Sequence, residues 1–171
     1  QEVVMKDGSK KDYYFNNNGV ALINNEGWQS QKENNKIIWQ YLKNEQPVSG
    51  LQEINGETYY FNKNTSYMET GWKYINKIWY HFRENGVMDT GWRKLNGDWY
   101  YFNNSGCMIT GWKNINDSWY HFRENGVMDI GWRKIDKDWY YFNENGDMAI
   151  NIKKDGWEID HSGVARLIVQ E

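Results

Sequence analysis

Aromatic side chains recur along this chain in a register that suits one kind of chemistry, the holding of a diffuse cation or a sugar ring against aromatic faces. A Gly-Trp pair stands at Trp72, Trp92, Trp112 and Trp132, spaced by twenty residues. The tetrad Trp-Tyr-His/Tyr-Phe keeps the same spacing from Trp79, Trp99, Trp119 and Trp139. Met88, Met108, Met128 and Met148 keep it too. Each unit thus offers two indoles, a phenol and a thioether.

Other chemistry is poorly represented. The chain contains no nucleophile–base pair, phosphate loop or paired carboxylates in a recognisable motif, so no catalytic residue and no cofactor are expected. His81 and His121 lie forty residues apart without an acidic or Cys partner at metal-ligand spacing. They read as surface or hairpin-face residues, and no metal is expected. Asp89 and Asp129 offer charge that could help hold a cation, but their default reading is as solvated turn carboxylates. Cys107 is the single cysteine and reads as a small half-buried side chain. The net charge of −3 is spread over interspersed residues of both signs, without the basic stripe that nucleic acid requires. No apolar run approaches the roughly 20 residues of a membrane span. No signal peptide is visible at Gln1, and the chain starts inside a repeat-like segment, as expected of a piece of a longer protein.

A fixed period in this range predicts a stack of small identical units. Leucine is scarce (Leu22, Leu42, Leu51, Leu95 and Leu167), so aromatic side chains must supply most of the core. In residues 91–110, Trp92 to Leu95 reads as a strand and Asn96-Gly97 as a two-residue hairpin turn. Trp99 to Phe102 reads as the return strand, and Asn103 to Gly106 as the linking turn. The recurring Phe marks the inner face of that strand, and the third tetrad position a wetter one. No sustained helical period exists, so almost no helix is expected. Residues 71–110 and 111–150 match at 28 of 40 positions, which points to duplication of a hairpin pair.

The pattern resembles the choline-binding repeats of bacterial surface proteins and phage lysins. Related repeats occur in glucan-binding proteins and clostridial toxin tails, which usually read Tyr-Tyr-Phe and lack the second Trp. The match divides the chain into degenerate repeats over 1–49, a partial repeat lacking the Trp pair over 50–70, four full repeats over 71–150 and a capping repeat over 151–171. Upstream, Tyr13-Tyr14-Phe15 with Gly19, and Gly27-Trp28 with Trp39-Gln40-Tyr41-Leu42, are similar to the motif, and Pro47 reads as a bend. The resemblance implies an all-β fold, a left-handed β-solenoid of hairpins, with ligand between neighbouring hairpins. It implies cages of Trp72, Trp79, Met88 and Tyr100; of Trp92, Trp99, Met108 and Tyr120; and of Trp112, Trp119, Met128 and Tyr140. Trp132, Trp139 and Met148 lack a standard following unit, and Trp157 is the candidate to fill in.

Three aromatic faces, each worth about 0.5–2 kcal/mol to a cation, give weak affinity per cage. Several cages at fixed spacing gain by multivalency on a polymer bearing many choline groups. The expectation is therefore a secreted, non-enzymatic module that binds choline on cell-wall teichoic acid, at the bacterial surface or in a phage lysin. Two alternatives stay open: a carbohydrate-binding array and a structural spacer. Choline-driven dimerisation through an end hairpin is left open as well.

Overall fold

In the computed structural model the described backbone comprises residues 2–4, 10–15, 21–23, 27–33 and 35–169, with side chains described for 27–32 and 35–169. Every element in it is a strand or a turn, with no helix among the described residues. The chain forms two compact units, one of residues 1–71 and 82–88, the other of residues 72–81 and 89–171.

The second unit is a succession of near-identical hairpins. Gly91–Leu95 pairs with Asp98–Phe102, Gly111–Ile115 with Ser118–Phe122, and Gly131–Ile135 with Asp138–Phe142, all antiparallel and in the same register. The tips are two-residue turns of the type that demands positive φ, met by Asn96 at 52° and Gly97 at 96°. Asn116 and Asp117 adopt the same conformation at 50° and 64° without a glycine. After each hairpin the chain reverses through a turn closed by Gly106 N–H to Asn103 O (2.9 Å) and runs back along the return strand, where Phe102 pairs with Met108. At the C-terminal end five short strands form one sheet, in which Ala165 sits beside Trp139 where the earlier repeats place a methionine.

In the first unit Gly27–Glu33 and Lys36–Lys43 form a lengthened hairpin, followed by Gly50–Ile54 with Glu57–Phe61. Pro47 does not mark a bend. It pairs with Leu42 in the short strand Gln46–Pro47, where a missing N–H is tolerated at the sheet edge. Tyr13-Tyr14-Phe15 lie in the strand Lys10–Phe15, and Gly19 lies outside the described residues.

The core is one phenylalanine deep. Phe61, Phe82, Phe102, Phe122 and Phe142 are 0–1% exposed. Around Phe122 gather Ile115 and Met128, with Trp92, Tyr101, Ile109 and Tyr120 packed against them. The Gly-Trp indole therefore lies over the phenylalanine of the next hairpin, Trp92 over Phe122 at 5.7 Å and Trp112 over Phe142 at 5.6 Å.

The linking-turn glycine is required twice over. Gly126 has φ +84°, and a Cβ there would collide with the Met108 thioether. Gly97 has φ +96° with open space around it. Gly97→Ala should cost only the positive-φ strain, about 1–2 kcal/mol. Gly126→Ala should cost that plus overpacking, for a total of about 2–5 kcal/mol. Chemical denaturation of the two variants checks the order, and equal midpoints would contradict it.

Candidate functional site

Each cage forms where one hairpin meets the next. Trp92 and Trp99 stand edge to face, with centroids 6.3 Å apart and planes at 87°. Tyr120, from the second tetrad position of the following hairpin, lies 4.9 Å from Trp92 at 65°. Met128 and Asn145 complete a cavity of about 450 Å³. Trp112, Trp119, Tyr140, Met148 and Ser162 line an equivalent cavity of about 250 Å³. Its tryptophans are 6.4 Å apart at 80°, and Tyr140 is 4.8 Å from Trp112 at 69°. Trp72, Trp79 and Tyr100 repeat the ring geometry, at 6.2 Å and 86° for the indole pair and 5.1 Å and 63° for Trp72 with Tyr100.

The two tryptophans of a unit do different work. The Gly-Trp indole is half-buried on the next phenylalanine, whereas Trp79, Trp99, Trp119 and Trp139 are 36–46% exposed. The tyrosines stay neutral. Burial, followed by the charge of Asp147, pushes the Tyr120 phenol up. Burial does the same at Tyr140, with Asp138, Asp136 and Asp160 adding to it, and at Tyr100, with Asp98. The Trp92 and Trp112 cages therefore present ring faces and a thioether, not a formal negative charge.

The first unit holds a cage that the motif reading passed over. Trp28 and Trp39 stand 6.4 Å apart at 82°, and Tyr59 is 4.8 Å from Trp28 at 70°. With Met68, Glu84 and Asn85 they line a cavity of about 330 Å³. The signal was the Gly27-Trp28 pair followed by Trp39, but the longer hairpin between them puts the second tryptophan out of register. The Leu51/Thr58 hairpin lacks its own tryptophans yet supplies Tyr59 to the cage before it.

The model for a choline-binding repeat matches residues 69–110 and 109–152, and that for a putative cell wall binding repeat matches residues 6–21 and 49–64. The chain belongs to the choline-binding repeat family. Choline binding protein F from Streptococcus pneumoniae superimposes at TM-score 0.78 with 33% identity, over 96% of this chain and 56% of that one. CbpF in complex with ipratropium gives TM-score 0.80 with 30% identity, over 96% and 58%. CbpJ from Streptococcus pneumoniae TIGR4 gives TM-score 0.51 with 27% identity, over 97% and 69%. This chain thus spans little more than half the length of CbpF. None of the curated proteins matches it.

Within these choline-binding repeats the methionines sit one unit later than the motif implies. Met128, not Met108, joins Trp92, Trp99 and Tyr120, and Met148, not Met128, joins Trp112, Trp119 and Tyr140. The linking turn is the cause. It sends the chain backward, so that Met108 N–H donates to Trp79 O (2.9 Å), Met128 N–H to Trp99 O (2.8 Å) and Met148 N–H to Trp119 O (2.7 Å). Met88 likewise donates to Thr58 O (2.8 Å), within the first unit. At the last pair Trp157 lies 5.6 Å from Trp132 and 6.1 Å from Trp139, and Trp132 Nε1–H donates to Asp155 Oδ2 (2.9 Å). That corner is three indoles with a carboxylate at one edge.

Asp89 and Asp129 are not solvated turn residues. They are 1% and 2% exposed. Asp129 accepts from His121 Nδ1 (2.8 Å), Arg123 Nε (2.7 Å) and Arg133 Nε (2.5 Å). Asp89 is bonded to His81 Nδ1 (2.7 Å) and accepts from Arg93 Nε (2.5 Å). The histidines are therefore partners of buried carboxylates, a pairing hidden in the sequence because eight residues and a turn separate the two. Burial works to raise Asp129, but the three donors outweigh it and hold the carboxyl below the usual range. Its contribution to stability is thus full above about pH 4, the ordinary carboxylate value, and is lost as pH falls through the lower native value. Asp129→Asn should cost about 2 kcal/mol at neutral pH, and the gap to the parent should close only below about pH 4. Denaturation midpoints measured against pH check this.

Proposed function

We propose that this chain is a non-catalytic binding module whose aromatic cages hold choline groups. The cages are Trp28/Trp39/Tyr59/Met68, Trp92/Trp99/Tyr120/Met128 and Trp112/Trp119/Tyr140/Met148, with Trp72, Trp79 and Tyr100 walling a further one. The natural polymer is choline-bearing teichoic acid, and the module serves a secreted protein at the bacterial cell wall or a lysin directed to it. The carrying observation is the ring arrangement at Trp92, Trp99 and Tyr120, with Trp92 set against Trp99 at 87° and against Tyr120 at 65° around a cavity with no charged lining residue.

A quaternary ammonium has no N–H to donate, so it is best held by several ring faces at once. A sugar ring asks instead for a broad flat face with hydrogen-bond partners for its hydroxyls. These mutually inclined rings, with Asn145 as the one amide in the lining, suit the compact cation better. The spacer reading fits poorly as well, since a purely structural array has no reason to keep a large indole exposed in four successive repeats.

Choline should change tryptophan fluorescence and raise the melting temperature by linkage. Trp99→Ala should abolish one cage and weaken retention on a choline-like resin. Trp99→Phe should preserve the fold and lower affinity, because phenylalanine keeps apolar bulk with a weaker quadrupole. Leu51→Ala should leave binding unchanged, while Tyr59→Ala should remove the first cage. Saturable glucan binding without any response to choline would overturn the proposal.

A further inference from the structure

The forty-residue duplication leaves a chemical alternation at the cage wall. The third tetrad residue pairs across the hairpin with the Gly-Trp residue, Trp112 with His121 and Trp92 with Tyr101. The ring contacts match in geometry: His121 is 5.1 Å from Trp112 at 66°, His81 is 5.1 Å from Trp72 at 70°, and Tyr101 is 5.0 Å from Trp92 at 67°. The difference is charge. Each histidine is bonded to a buried carboxylate that also takes guanidinium partners, and beyond it lies the apolar ring of the next hairpin, Phe142 for His121 and Phe102 for His81. In the Tyr101 repeat the place of Asp129 is taken by Ile109.

Resting on the cation-binding reading, we propose that the third tetrad residue tunes each cage through its tryptophan, so that the Trp72 and Trp112 cages bind a quaternary ammonium in a proton-dependent way and the Trp92 cage does not. His121 and His81 are positioning residues: each touches the wall of the cage, not its ligand. Protonation puts a positive charge behind an indole whose other partner is to be a cation. That charge draws on the same ring electrons and repels the ligand directly. Across about 8 Å in a partly solvated setting, the repulsion between unit charges amounts to about a twofold to fivefold loss of affinity. Asp129 and Asp89 keep the imidazoles oriented, and Asp129, held below the usual carboxylate range by its donors, does not cancel the change. Linkage is reciprocal, and choline must oppose protonation of these histidines by the same factor.

The test is a choline titration of the whole chain between pH 8 and 5.5, followed by the assigned indole N–H signals in NMR. His161→Gln is used as the background, because His161 adjoins Ser162 at the Trp112 cavity. On acidification the dissociation constant reported by Trp112 and Trp119 should rise about twofold to fivefold relative to that reported by Trp92 and Trp99. Trp72 and Trp79 should follow the Trp112 pair, and His121→Tyr should remove the effect at the Trp112 cage alone. An identical pH response at all cages, or a response at the Trp112 cage that survives His121→Tyr, overturns the tuning while leaving the cation reading intact. Absence of any choline response at Trp92 and Trp99 overturns both.

Discussion

The hydrogen bond from each methionine N–H to the carbonyl of the preceding tetrad residue is the constraint on which the repeat depends. In a strand, alternate backbone groups point to opposite sides. Here the neighbours of Met108 bond back to their own hairpin, Asn103 N–H to Cys107 O and Ile109 N–H to Tyr101 O, both at 2.9 Å. Met108 itself is left pointing outward, to Trp79 O. One bond therefore fixes the register between hairpins, brings a thioether beside the preceding indoles and carries the next tyrosine over the preceding Gly-Trp residue. It also lays the methionine under the following linking turn, where a glycine alone leaves room. Packing, turn chemistry and cage composition follow from a single backbone register.

Much of this was legible in the sequence. The Asn-Gly tip announced the hairpin, the twenty-residue period announced the stack, and the invariant fourth tetrad position announced Phe102 and its equivalents as core. Tyr100, Tyr120 and Tyr140 were named only through the family resemblance, and each lies beside the Gly-Trp indole of the preceding hairpin. The methionine was assigned one unit too early because adjacency along the chain suggests a forward contact, and only the reversal at residues 103–106 sends it backward. Trp28 and Trp39 were recognised as similar to the motif but not grouped as a cage, because added length in the hairpin hides a constant geometry at its base. The burial of Asp89 and Asp129 was not legible at all, since nothing in residue type separates a turn carboxylate in water from one held by histidine and arginine.

The energetics of such an array differ from those of a globular core. The Trp92 and Trp112 repeats each bury one phenylalanine fully and lay a half-buried indole on the next repeat, so stability there resides in nearest-neighbour contacts. The exposed tetrad tryptophan contributes less to that core than its size allows. Under the proposed function its outward edge is what the ligand covers, and a ligand held by two successive hairpins strengthens the contact between them. On that proposal fold and binding are coupled where hairpins of one unit meet, and avidity on a polymer grows from the spacing of the cages.

A structure with choline bound tests the central claim most directly, namely that a cage is assembled from two successive hairpins with its methionine contributed by the later one. The account predicts a trimethylammonium group within about 6 Å of the Trp92, Trp99 and Tyr120 ring centroids and in contact with the Met128 thioether. Choline seated against Met108 instead, or away from the indole pair altogether, would contradict it.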